Sequence, residues 1–214
     1  MIDVDYQISS VRRQVGSRTL PAGEAHTVTI SQTYDAPIED IWDACTNPER
    51  IPRWFLPVSG DLTLGGRFQL EGHAGGTIER CDPPKSFAAT WEFGDTTSWI
   101  EVRLAPAADG GTRLELEHIV PAGEHWDQFG PASIGIGWDG AFLGLATHLA
   151  SGRAMAPAEA AAWAGSPEGK RFMTSASDGW LAADIAAGTD EAAARASAAR
   201  TLAAYTGAED AAGS

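Results

Sequence analysis

The chain has 214 residues, 43% of them hydrophobic, which suits one domain with additions or two small ones and is too apolar for a disordered or fibrous protein. A net charge of −14 with scattered basic residues opposes nucleic-acid backbones and anionic lipid surfaces, so neither nucleic acid nor membrane is an expected partner. No apolar run is long enough to span a bilayer, and residues 1–13 carry Asp3, Asp5, Arg12 and Arg13 without an apolar stretch of the signal-peptide kind. A cytoplasmic protein is therefore expected.

Residues 1–25 read as an N-terminal extension. From His26 to Tyr34 the chain alternates, with Val28, Ile30 and Tyr34 on one face and Thr27, Thr29, Ser31 and Thr33 on the other, as a half-buried strand requires. Ile38, Ile41, Trp42 and Cys45 then recur at helical spacing, and Asn47-Pro48 offers an N-cap and a first helical residue; the spacing predicts helices over 38–46 and 48–54. Behind a Gly65-Gly66 turn, Phe68 and Leu70 alternate with polar residues, and further strands follow between turn signals. Each has one apolar parity: Phe87, Ala89, Trp91 and Phe93; Ile100, Val102 and Leu104; Leu114, Leu116 and Val120. A sheet of about six strands, apolar on one side, needs a cover. Residues 131–151 provide it, with Ile134, Trp138, Phe142, Leu145 and Leu149 three or four apart and Gly152 as a stop.

After Arg153 the composition shifts to 23 alanines in 61 residues, without strand signals. Residues 153–206 are expected as an Ala-rich helical extension, one helix opened by Ser166-Pro167 and closed at Gly188, another opened by Thr189. Trp163, Phe172 and Trp180 are too large and apolar for a solvated tail, so this part should dock on the domain or on a second copy of the chain, a homodimer. A disordered tail is expected over 207–214.

Several stations of the sequence carry a resemblance. They are Asp35-Ala36-Pro37-Ile38-Glu39-Asp40-Ile41-Trp42, Asn47-Pro48-Glu49-Arg50-Ile51-Pro52-Arg53-Trp54, Asp61 to Phe68, Asp82-Pro83-Pro84, Thr90-Trp91, Thr112-Arg113-Leu114 with His118, and Gly137-Trp138. In this order and with these gaps, residues 26–152 resemble the branch of the SRPBCC superfamily named for the activator of heat-shock-protein ATPase; START domains and birch-pollen allergens belong to the same superfamily. The resemblance implies an α+β helix-grip fold, a curved antiparallel sheet wrapped around a long C-terminal helix, with a cavity that often takes apolar ligands. It leaves the function open, since polyketide cyclases, hormone receptors and a chaperone activator share that scaffold.

His118 falls on the inward parity of its strand, where an imidazole can move protons near neutral pH; the plainer reading is a hydrogen-bonded structural histidine. Glu79 lies in a strand of unfixed parity. Pointing inward it is a buried general base; pointing outward it belongs to a solvated face. Trp54, Phe68, Leu70, Trp91, Phe93, Leu116, Trp138 and Phe142 are expected to line one internal cavity, against core packing as the ordinary role of such rings. Gly135-Ile136-Gly137-Trp138-Asp139-Gly140 matches a dinucleotide-binding pattern but lacks the strand–turn–helix setting, so the small residues should instead leave room for ligand or permit close packing. The histidines and Cys45 and Cys81 show no metal-ligand spacing, and no metal or cofactor is expected. Three functions are compatible with this reading: first, binding of an apolar small molecule as a carrier or sensor; second, a cyclase, dehydratase or isomerase using His118 and Glu79; third, a chaperone-related interaction module.

Overall fold

Alternating side chains between glycine-bearing turns make eight strands, and capped segments of helical spacing make seven helices. They span the residues described by the computed structural model, 3–108, 110–154 and 156–207. The strands are β1 (Arg12–Leu20), β2 (Gly23–Tyr34), β3 (Val58–Gly60), β4 (Arg67–Leu70), β5 (Gly75–Asp82), β6 (Ser86–Phe93), β7 (Thr96–Pro106) and β8 (Thr112–Pro121). The helices are α1 (Val4–Ser10), α2 (Ile38–Thr46), α3 (Glu124–Phe129), α4 (Ala132–Ser151), α5 (Pro157–Gly165), α6 (Pro167–Ala186) and α7 (Glu191–Thr206). The antiparallel, curved sheet has the order β1-β2-β8-β7-β6-β5-β4-β3. This is the α+β helix-grip fold, with two more strands than the sequence suggests. One is β1, which has no fully buried residue and so no apolar parity to read; the other is the three-residue β3. The chain groups into two compact units, and β2 and α4 each contribute to both.

The first unit comprises residues 31–120 and 141–156. Its inward positions are as the parity predicts: Ile100, Val102 and Leu104 of β7 pair with His118, Leu116 and Leu114 of β8, and all six are buried. Phe142 and Leu145 of α4 are buried in the same unit. The Tyr34 ring lies 6.4 Å from that of Phe142, and its hydroxyl donates to the Phe142 carbonyl at 3.3 Å. Burial pushes the Tyr34 phenol well above its ordinary pKa, so it remains a donor. The outward face of β7 and β8 sets Glu101 opposite Glu117, a repulsive pair that Arg103 relieves by bonding both as well as Glu115. The expected helix over 48–54 is shorter. Asn47 caps the end of α2 and turns the chain through Arg50, and only Ile51–Arg53 forms a single 3-10 turn.

The second unit comprises residues 1–30, 121–140 and 157–214. The tail expected at 207–214 lies outside the described residues from 208 onward, while Gly207 ends α7 with a left-handed φ of 69°. Ser166 caps α6 as the sequence predicts, its hydroxyl accepting from Gly169 N at 3.1 Å; α7 is capped by Asp190 rather than Thr189, whose hydroxyl bonds Asp184 instead. Trp180 and Phe172 of α6 are buried within this unit, Trp163 packing on Phe172 at 5.5 Å.

The glycine run of α4 acquires its meaning here. A Cβ at Gly135 would lie 2.1 Å from the Trp180 indole, so only glycine admits that ring against the helix. The indole Nε1 donates to Asp139 Oδ2 at 2.7 Å, and Arg13 of β1 donates to the same carboxylate at 2.6 and 3.1 Å. Burial raises the Asp139 carboxyl pKa, an effect opposed by Arg13 and by the indole. The pattern thus permits close packing, which joins the N-terminal strand, the first half of α4 and the C-terminal helices. That arrangement explains why residues 3–25 are structured although no sequence period marks them.

Candidate functional site

The inward parity of the first unit supplies buried aromatic and aliphatic groups and one imidazole. Phe68 and Leu70 come from β4, Trp91 from β6, Leu116 and His118 from β8, and Phe142 from α4; all are buried. Trp91 is the hub, its ring centre 6.3 Å from Phe68 and 6.0 Å from His118, the latter edge-on. Such spacings fall in the range of favourable offset and edge-to-face contacts.

His118 Nε2 stands 2.8 Å from Ser98 Oγ, and the serine hydroxyl donates to the Trp91 carbonyl at 3.0 Å. Since that hydroxyl has one proton, already given to the carbonyl, Ser98 accepts from the ring. His118 therefore donates from Nε2, which carries a proton. Burial, reinforced by the nearby His73, lowers its pKa to about 4. An imidazole held in this way is a poor base at neutral pH, and Ser98, whose proton points away from it, is not an activated nucleophile. The plainer sequence reading of His118, a hydrogen-bonded inward histidine, describes this geometry. Ser98 escaped the sequence reading although it shares the parity of Ile100 and Val102; a single serine two residues before an apolar pair gives no signal by itself.

Other predicted positions are placed differently. Glu79 is exposed: Ile78 points inward, so alternation puts Glu79 outward, and the register shift of β5 against β6 between Ile78 and Arg80 leaves Arg80 exposed as well. The structure thus corrects the inward alternative for Glu79. Phe93 shares the parity of Trp91 but is 58% exposed, because it is the last residue of β6 before the Gly94 turn and lies at the end of the sheet's inner face. It does not line the interior. Trp54 is half-buried and fixed by its indole donating to the Ala44 carbonyl at 2.9 Å; a Cβ at Gly144 of α4 would come within 2.3 Å of the Trp54 carbonyl oxygen. Trp138 is buried and belongs to the other unit. Trp126 stacks on His26 at 4.2 Å in that same unit.

Among the described residues no three His, Cys, Asp or Glu side chains group as metal ligands, and no helix is long and apolar enough to cross a membrane. Cys45 and Cys81 are free thiols.

A sheet gripping a helix over an apolar face with a neutral histidine defines the chain as a helix-grip protein of the SRPBCC type. Residues 35–150 match the model of the activator of Hsp90 ATPase homolog 1-like family, and the chain belongs to that family. No curated protein matches it. Among solved structures, CalU16 from Micromonospora echinospora is 38% identical over 83% of this chain and 96% of its own, with a TM-score of 0.68 in its solution structure. That match extends well beyond the span of the family model, so CalU16 shares part of the terminal elaborations too. PFC0360w, an HSP90 activator from Plasmodium falciparum, is 24% identical over 59% of this chain and 96% of its own, with a TM-score of 0.50. DynU16, a protein of the dynemicin biosynthetic locus, is 22% identical over 60% of this chain and 48% of its own, with a TM-score of 0.53. The last two share the fold.

Proposed function

We propose that this chain binds an apolar small molecule on the inner face of the sheet in the unit of residues 31–120 and 141–156. The observation that carries the reading is the Trp91 ring in contact with Phe68 and with the uncharged His118, with Leu70, Leu116 and Phe142 buried in the same unit. Apolar groups supply the binding free energy, and an uncharged surface adds little desolvation cost. The enzymatic alternative is weakened, because Glu79 is at the surface and His118 is a weak base. The chaperone alternative has only the fold shared with PFC0360w behind it.

Untargeted mass spectrometry of solvent extracts from the purified full-length protein tests the reading. An apolar compound should be retained by the wild type and lost from Phe142→Trp, a change that fills interior volume, provided the variant keeps its native circular dichroism. Empty extracts, together with no saturable binding of an apolar fluorescent probe, would refute it.

A further inference from the structure

Leaving a phenylalanine on the inner face more than half exposed forgoes much of the burial free energy its ring could supply, so Phe93 contributes little to the fold. It is not isolated. His73, in the turn between β4 and β5, lies 5.2 Å from Phe93, ring centre to ring centre, at a tilt of 32°. The same imidazole stands edge-on to Trp91 at 5.8 Å. The rings thus form a chain of contacts from solvent inward: Phe93, His73, Trp91, and then His118 and Phe68, both next to the indole. Glycines with left-handed φ, Gly72 at 67° and Gly94 at 59°, turn the two loops that carry the outer rings.

We propose that His73 and Phe93 form an aromatic lip that holds a planar, uncharged aromatic group of the ligand next to Trp91. This deepens the small-molecule reading and rests on it. Successive centres 5–6 Å apart match the spacing at which aromatic rings attract in offset or tilted pairs, so a flat ring laid on the lip meets favourable partners from rim to interior. A flexible alkyl chain would gain only area there. Partial burial lowers the His73 pKa, which keeps the imidazole neutral and suits it to an uncharged ring. The nearby carboxylate Glu92 alternates to the other face, where it pairs with Arg67 at 2.7 Å.

The test is a fluorescence titration of the full-length protein with N-phenyl-1-naphthylamine, a neutral aromatic probe. Phe93→Ala and His73→Ala should each weaken binding about three- to tenfold, the amount one aromatic contact supplies. Phe93→Tyr should bind as the wild type does. Phe93→Leu, which keeps apolar area and loses the ring, should resemble Phe93→Ala. Wild-type binding that stays within twofold in both alanine variants refutes the lip and leaves the interior reading intact. Full affinity in Phe93→Leu refutes its aromatic character. A wild-type protein that binds no probe overturns the interior reading, and the lip with it.

Discussion

Acid should destabilise the unit of residues 31–120 and 141–156 through one side chain, His118. The folded protein keeps this imidazole neutral with a pKa of about 4, whereas in the unfolded chain it titrates near its ordinary 6.5. A depressed pKa means that the unfolded state takes up the proton first, so the contribution to stability is fully present above pH 6.5 and is lost as the pH falls toward 4. At about 1.4 kcal/mol per pH unit, the interval from 6.5 to 4 amounts to about 3 kcal/mol. The loss is large beside the total stability of an ordinary domain. Urea unfolding at half-unit intervals between pH 4 and 8, followed by circular dichroism, would measure it in the wild type and in His118→Gln, whose amide can still donate to Ser98. Ionisable groups distant from His118 are common to both proteins and cancel in the difference, while His73, which helps to lower the His118 pKa, contributes a smaller part of the effect. The stability difference between wild type and variant should be constant above pH 6.5 and should move against the wild type by about 3 kcal/mol by pH 4. A difference independent of pH would refute the neutral, buried assignment of His118, and one that favoured the wild type more strongly in acid would reverse its sign.

Two further outcomes concern packing. Trp180→Ala should cost about 3–5 kcal/mol, read as a drop in urea midpoint, because it empties a fully buried site and removes a hydrogen bond from the buried Asp139–Arg13 pair; a loss below 1 kcal/mol would deny that α6 is docked there. Gly144→Ala should cost about 1–3 kcal/mol, since its methyl group would meet the rigid Trp54 carbonyl oxygen rather than a side chain that can move. An unchanged melting temperature would show that the approach of the 50s segment to α4 is loose.

The apolar parities of β4, β6, β7 and β8 are legible in the sequence because a strand that buries one face repeats every two residues. Leu116, His118 and Trp91 therefore point where alternation places them. The long helix is legible for the same reason at its own period, and Ser166-Pro167 announces α6 by local capping chemistry. Alternation holds only while the ladder keeps step. The register shift between Ile78 and Arg80 leaves Glu79 and Arg80 both exposed and breaks the alternation from which a parity is read, and no local signal marks a bulge that exists only against the partner strand. Phe93 obeys the parity and still meets solvent, since exposure depends on where the cover ends and not on which face a residue occupies. Residues 12–20 show no apolar repeat, because β1 is held by pairing in the sheet and by Arg13 reaching Asp139 across 126 positions of chain. In the run from Gly135 to Gly140 the sequence supplies the small residues, but only the fold brings the Trp180 indole onto Gly135, a contact 45 residues apart that no periodicity encodes.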